Sequence, residues 1–217
     1  MVLALYVDPV DFSRPMHGSG NAAVARSAVK AMGDQFIYVG LTSHSEELGR
    51  LVEREIEGYR VSIYAIALAP VPNQVAFIPE NLRFALQLVR HLTILSRWGT
   101  RALLTRTYTV MWLLALLPQY WNVCYYIPGL GNPMIVGRRP RLGLILRNLY
   151  TRIQLWALDK AEVVFAAASQ KEIEIFNCAL ANKSRRTRVK FLPTAVDVDL
   201  FRPQCRKEKQ NELNLSN

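Results

Sequence analysis

The chain has 217 residues, of which 51% are hydrophobic and 20% charged, and it carries a formal net charge of +10. This composition is globular and excludes an intrinsically disordered chain. No window reaches the roughly 18 uninterrupted apolar residues that a membrane-spanning helix needs, and residues 1–7 lack the charged segment and the length of a signal peptide. The sequence therefore predicts a cytoplasmic protein, at most attached to the inner face of the plasma membrane.

The excess positive charge is concentrated in the second half of the chain. Six basic residues and one acidic residue lie between Arg138 and Lys160, and five basic residues with no acidic one lie between Lys183 and Lys190. Such a basic surface attracts phosphate groups on nucleic acid, anionic lipid or nucleotide-sugars, and charge alone does not choose among them. The three cysteines have no metal-ligand spacing, so we expect reduced thiols, no metal and no cofactor.

Short apolar runs alternate with helix-period segments along the whole chain. In chain order, the pattern predicts strand 2–7, helix 21–32, strand 36–41, a short charged helix 46–57, strand 59–67, helix 80–98, strand 101–105, helix 108–117, strand 122–127, helix 141–158, strand 162–166, helix 169–181 and strand 189–192. Apolar strands that alternate with helices indicate a parallel sheet covered on both faces. The predicted fold class is α/β, a single Rossmann-like domain with a doubly wound parallel sheet.

A glycine-containing loop joins the first predicted strand to the first helix. Gly18, Ser19, Gly20 and Asn21 stand at the helix start, where backbone amides and the helix N-terminus favour an anionic group. The loop is too long before Gly18, and has too few glycines, for a dinucleotide-binding fingerprint. It is either a phosphate-binding loop or a flexible connection with a Gly/Ser helix start.

The C-terminal segment carries the most specific pattern in the chain. Residues 189–203 read VKFLPTAVDVDLFRP, a strand followed by Pro193, Val196-Asp197 and Phe201-Arg202-Pro203. This resembles the segment that closes the N-terminal domain of GT-B glycosyltransferases of the large, family-4-like retaining group, which use nucleotide-sugars. Ala195 replaces the glycine usual in that group. Weaker similarities run upstream, at Leu104-Thr105-Arg106, Tyr125 to Gly129, and Ala168-Ser169.

The resemblance implies an N-terminal, acceptor-side domain over residues 1–196. Residues 197–217 would form the linker and the start of a donor-binding domain that this sequence does not contain. The paired glutamates and the nucleotide-binding residues of the group belong to that second half, so no catalytic residue is assigned within this chain. We expect the isolated chain to be inactive in transfer.

The loops at the carboxyl ends of the predicted strands hold the candidate site residues, because ligands of open α/β sheets bind there. The resemblance places Gly18, Ser19, Gly20 and Asn21 near the donor phosphates. We assign an acceptor-side role to His17, Arg106, Gly129, Gly131 and Asn132. The alternatives are a solvated loop histidine, a surface ion pair of Arg106 and an ordinary turn at 129–132.

The predicted helix 141–158 combines arginines with aliphatic residues. At 100° per residue, one face holds Leu142, Ile145, Leu146, Leu149, Ile153 and Trp156, which we expect in the core. Arg141, Arg147 and Arg152 fall on the other face, among Leu144, Leu155 and Leu158. Arginines interleaved with leucines suit an anionic membrane surface, although a solvated arginine face is the alternative.

These features together predict half of an enzyme that moves a sugar from a nucleoside-diphosphate donor to a glycan or lipid-linked acceptor, as in polysaccharide biosynthesis. The rival interpretation is a non-enzymatic, Rossmann-like module that binds phosphate or nucleic acid. The basic segments show no nucleic-acid motif, and we expect no exposed aromatic residues interleaved with their basic ones, which counts against a nucleic-acid partner.

Overall fold

A computed structural model of the chain describes residues 4–14, 20–56, 58–70, 78–117, 121–127, 140–166, 170–181 and 189–192, with backbone only at 20–21, 140–148, 176 and 179–180. The strands in these ranges are β1 (Ala4–Asp11), β2 (Phe36–Thr42), β3 (Leu51–Ile56), β4 (Tyr59–Leu68), β5 (Ala102–Thr105), β6 (Asn122–Ile127), β7 (Val163–Ala166) and β8 (Val189–Phe191). The helices are α1 (Gly20–Met32), α2 (Glu80–Leu95), α3 (Tyr108–Leu116), α4 (Pro140–Asp159) and α5 (Gln170–Ala181).

The strands form one sheet in the order β3-β4-β2-β1-β5-β6-β7-β8. Every neighbouring pair is parallel except β3 with β4. The predicted doubly wound α/β fold is therefore confirmed. From β1 the chain first moves to β2 and β4 on one side, then returns through α2 to β5 on the other side. The order of strands reverses between β1 and β5, and this point determines where the candidate site lies.

Two separate clusters of buried residues cover the two faces of the sheet. The larger cluster packs α2, α3, α4 and α5 against the sheet through residues such as Phe84, Val110, Leu158 and Ile173. The smaller cluster packs α1 against β1, β2 and β4 through Ala25, Val29 and Tyr38. All seven residues of β2 are buried, as expected for a strand covered on both faces, and all but Thr42 are apolar or glycine.

The region predicted as a charged helix, 46–57, is instead a short 3₁₀ turn (Ser45–Glu47) followed by strand β3. That prediction was wrong. Leu51–Ile56 alternates exposed and half-buried residues along LVEREI, the period of two that a strand on one solvated face requires. Glu53 pairs with Arg60 across β3 and β4, so the charges that suggested a helix lie on the solvated face of an edge hairpin.

The faces of α4 are also different from those predicted. Leu155 and Leu158, expected on the outer face, are 8% and 1% exposed, whereas Leu149 and Trp156, expected in the core, are 54% and 37% exposed. Exposed Arg152 lies between them on the solvent side. The helix thus keeps an amphipathic pattern, rotated relative to the prediction, because packing against α3 and α5 selects which of two apolar stripes is buried.

Gly40 allows close packing where β1 bends away from β2. The pairing register between these strands shifts after Val7. A Cβ at Gly40 would lie 2.5 Å from both the Phe12 ring and the Val10 carbonyl oxygen. Only glycine leaves room for Phe12 to cover β2 at this position. None of the helices within the described ranges is long and apolar enough to cross a lipid bilayer.

Candidate functional site

The reversal of strand order between β1 and β5 creates a crevice at the carboxyl ends of these strands. In open α/β sheets, ligands bind at such a reversal point. The two strands pair in register from Leu5 with Leu103 to Val7 with Thr105. Consequently the residues that follow, Asp8 on β1 and Arg106 and Thr107 after β5, are brought to the same place.

Asp8 is the centre of a buried polar network at this crevice. Asp8 is 1% exposed, and each of its carboxylate oxygens accepts one hydrogen bond. The Thr107 hydroxyl donates to Oδ1 at 2.6 Å, and the Tyr6 hydroxyl donates to Oδ2 at 3.2 Å. Thr107 is the N-cap residue of α3, yet its hydroxyl makes no cap hydrogen bond. Through its hydrogen bond to Asp8, the Thr107 hydroxyl instead links the start of α3 to β1.

Burial shifts the titration of both acidic groups in this network. Desolvation raises the pKa of Asp8, opposed by the hydrogen bond from Thr107, the positive charge of Arg106 and the hydrogen bond from Tyr6. Desolvation and the neighbouring Asp8 charge raise the pKa of Tyr6 well above its usual value. A buried carboxyl held by two hydroxyl donors is a rigid support for the groups around it.

Arg106 lies beside this network with part of its guanidinium unsatisfied. Its Nε and Nη1 are buried and make no hydrogen bond to any described residue. The guanidinium carbon lies 5.5 Å from the centroid of the Tyr126 ring, within cation–π range. Leaving a buried donor unpaired costs about 1–3 kcal/mol. Such a group has donors available for the oxygens of a carboxylate or a phosphate.

A second polar cluster fixes the start of the glycine loop. Asp11 ends β1; its Oδ1 accepts from the Ser13 amide at 2.9 Å and the Ser13 hydroxyl at 2.5 Å, and its Oδ2 accepts from the Ser43 hydroxyl at 2.5 Å. Burial raises the pKa of Asp11, but the hydrogen bonds from Ser13 and Ser43 and the charge of Arg14 bring it below its usual value. These hydrogen bonds hold the end of β1 in place where the glycine loop begins.

The glycine loop itself lies largely outside the described residues. His17, Gly18 and Ser19 fall there, while Gly20 and Asn21 form the first turn of α1, as predicted for a helix start. The predicted acceptor residues Gly129, Gly131 and Asn132, which follow β6, also lie outside the described residues. Their assigned roles remain predictions.

The arginines assigned to a membrane surface lie on one helix. Arg141 and Arg147 belong to α4, where only the backbone is described, and Arg152 is exposed on the same helix. All three arginines thus belong to the same helix. The role of this helix at a membrane stays a prediction.

Sequence reasoning found Arg106 but missed its neighbours. Asp8 is a single acid inside the apolar run LYVDPV, and a lone acid in a buried strand is a signal that can be read without a structure, because buried carboxylates need partners. Thr107 and Tyr126 carry no comparable signal. They become site residues only through the pairing of β1, β5 and β6.

A cavity of about 280 Å³ opens beside this network, between α1 and the face of the sheet formed by β5, β6 and β7. Tyr6, Arg106 and Tyr126 line it together with mostly apolar side chains. A larger cavity of about 510 Å³ lies at the opposite edge, near Arg101 and Trp121, where β5 and β6 begin. We place the candidate site at the first cavity, because it adjoins the reversal point and the unsatisfied donors. No cluster of three potential metal ligands occurs in the described ranges.

Comparison with known proteins supports the fold. No protein-family model and no curated protein matches the sequence. Among solved structures, the chain is similar to a sucrose-phosphate synthase from Thermosynechococcus elongatus, with a TM-score of 0.63 and 14% identity over 100% of this chain and 53% of that one.

Two further solved structures give the same result. An α,α-trehalose 6-phosphate synthase from Burkholderia multivorans gives a TM-score of 0.52 and 13% identity over 88% of this chain and 48% of that one. A UGT transferase from Siraitia grosvenorii in complex with UDP gives a TM-score of 0.53 and 8% identity over 99% of this chain and 55% of that one. The chain spans about half the length of these structures. It has the α/β fold of one half of a GT-B glycosyltransferase.

Proposed function

We propose that this chain is the acceptor-side half of a glycosyltransferase that moves a sugar from a nucleoside-diphosphate donor to a glycan or lipid-linked acceptor. The observation that carries the proposal is the crevice between β1 and β5, where Asp8, Arg106 and Thr107 meet at the end of a sheet whose fold is that of half a GT-B enzyme. The second half, with its donor site, would close over this edge.

Within this function, the glycine loop would contact the donor phosphates. Gly18 and Gly20 would allow backbone amides to approach an anionic group, with Ser19 and Asn21 at the same turn and the N-terminus of α1 behind them. Anchoring of β1 by Asp11, Ser13 and Ser43 supports this proposal, since a phosphate-binding loop needs a fixed base. Arg106, His17 and the 129–132 loop would face the acceptor.

The decisive experiment joins a donor half of a related enzyme after Pro203 and compares two variants of the chimera. Gly20→Val places a β-branched side chain at the start of α1 and should reduce transfer by roughly tenfold or more, about 1.4 kcal/mol, with little change in melting temperature. The matched control is Ala23→Val, which puts the same side chain at an exposed position of the same helix and should keep activity. Equal activity in both variants refutes the phosphate role of the loop.

The chimera also separates the proposed function from its rival. A chimera that turns over no nucleotide-sugar with any acceptor, yet binds phosphate or nucleic acid through the isolated chain, favours the non-enzymatic module. Product mass identifies the transferred sugar and so distinguishes transfer from donor hydrolysis.

We further propose that α4 attaches the protein to an anionic membrane surface at the cytoplasmic side. Exposed Leu149, Arg152 and Trp156 combine apolar and aromatic groups with a cation, as interfacial helices do. Replacing Arg141, Arg147 and Arg152 by Gln should weaken binding to anionic vesicles by up to about 3 kcal/mol, at about 1 kcal/mol per basic side chain. Equal co-sedimentation of wild type and triple variant removes this role from α4.

A further inference from the structure

The cavity between α1 and the sheet combines an apolar lining with a single described cation. Its apolar wall comes from α1, from the strands β5, β6 and β7 and from the residue after β8, through Val24, Ala28, Leu104, Cys124, Phe165 and Leu192. An engineered cavity of about 150 Å³ with such a lining stays dry and binds benzene. At about 280 Å³, this cavity has room for an aromatic ring or a short alkyl chain.

Arg106 on the cavity wall has hydrogen-bond donors that no described residue uses. Nε and Nη1 are buried and unpaired, and Tyr126 contacts the guanidinium carbon through its ring face. The nearby carboxylate of Asp8 already accepts hydrogen bonds from Tyr6 and Thr107. An arginine in such a position is matched by the oxygens of a carboxylate or a phosphate.

We propose that this cavity binds an apolar group bearing an anionic group, with the apolar part against α1 and the anion on Arg106. An organic phosphate and an organic carboxylate share this chemistry. The inference rests on the proposed function only in treating this ligand as the acceptor or part of it. Binding itself is a property of the chain alone and is tested on the chain alone.

Cys124 provides a direct readout of occupancy, because its thiol lines the cavity. Burial raises the pKa of Cys124 to about 11, so alkylation is followed at mildly alkaline pH, where a small thiolate fraction reacts. Cys178 is exposed on α5 and serves as the internal control. Peptide-resolved mass spectrometry separates the labelling rates of the individual cysteines.

The probes are phenyl phosphate, benzoate, phenol and inorganic phosphate. Phenyl phosphate should slow Cys124 alkylation by roughly tenfold at ten times its Kd, without slowing Cys178. Inorganic phosphate and phenol should each protect much less, since each lacks one half of the ligand. Protection by benzoate equal to that by phenyl phosphate identifies a carboxylate-compatible site, and protection by phenyl phosphate alone identifies a phosphate site.

Three variants test the two halves of the site. Arg106→Gln should weaken phenyl phosphate binding by about tenfold or more. The affinity of Arg106→Lys for phenyl phosphate should lie between those of Arg106→Gln and wild type, because lysine keeps the charge without the planar pair of donors. Ala28→Phe, which fills the cavity, should abolish protection with Arg106 intact. The matched control is Arg101→Gln, which removes an exposed arginine before the same strand and should leave binding unchanged.

Equal protection by phenol and phenyl phosphate, or equal binding by wild type and Arg106→Gln, overturns the inference. So does inorganic phosphate binding as tightly as phenyl phosphate, or no protection by any probe. If Arg106→Gln fails to fold, shown by a raised Cys124 labelling rate in the absence of any probe and by lost circular dichroism, Arg106→Lys and Ala28→Phe decide. A chimera that transfers sugar although the chain binds none of the probes overturns this inference and leaves the proposed function standing.

Discussion

Thr107 offers the sharpest test of the buried network at the crevice. Thr107→Val keeps the shape of the side chain but removes the hydroxyl that donates to Asp8 Oδ1 at 2.6 Å. The carboxylate then has only Tyr6 as a described donor. A hydrogen bond to a charged group contributes about 1.5–3 kcal/mol, so we expect about 2 kcal/mol lower stability near pH 7, or roughly 4–8 °C in melting temperature for a chain of this size.

The pH dependence of the stability lost in Thr107→Val shows whether this hydroxyl acts on the charge of Asp8. The pKa of Asp8 is raised in the folded state, so the folded protein binds its proton more tightly than the unfolded chain does. Stability contributed by this group is full below the unfolded value of 3.8 and is lost as pH rises through the folded value. The Thr107 hydrogen bond lowers the pKa of Asp8; its removal therefore raises that pKa further and makes the loss steeper.

The assay is urea unfolding of wild type, Thr107→Val and Thr107→Ser at a series of pH values from about 4 to about 8. The serine variant keeps the hydroxyl and loses one methyl, about 0.8 kcal/mol. Titration of all other groups is shared and cancels in the difference between variants. A deficit of Thr107→Val relative to Thr107→Ser that is the same across this range refutes the coupling of this hydroxyl to the Asp8 charge.

The remaining predictions concern packing. Gly40→Ala should cost about 1–3 kcal/mol by overpacking against Phe12 and the Val10 carbonyl, measured by urea unfolding; no loss would mean that the β1 bend yields freely. Leu158→Ala should cost about 2–5 kcal/mol because Leu158 is buried, whereas Leu149→Ala should stay within about 0.5 kcal/mol, and equal costs would contradict the α4 orientation. Asn177→Ala removes the amide that bonds both the Val189 N–H and carbonyl, so hydrogen exchange of Val189 should accelerate while β1 stays protected.

Local patterns in the sequence were sufficient for most of the sheet. Apolar, β-branched runs identified seven of the eight strands, because strands covered by helices on both faces are apolar at most of their positions. The exception, β3, is an edge strand with one solvated face. Its glutamates are as compatible with a helix surface as with a strand, and only its pairing with β4 decides between them.

The sequence by itself determined the alternation of strands and helices, the glycine start of α1 and the presence of Arg106 after β5, since each depends on neighbours in the chain. The tertiary structure alone decided which stripe of α4 is buried and which residues meet Arg106. Asp8 and Thr107 are 99 residues apart, and their contact depends on the return of the chain from β4 to β5 beside β1. No local pattern encodes that crossing, because the free energy that selects it comes from covering both faces of the sheet at once.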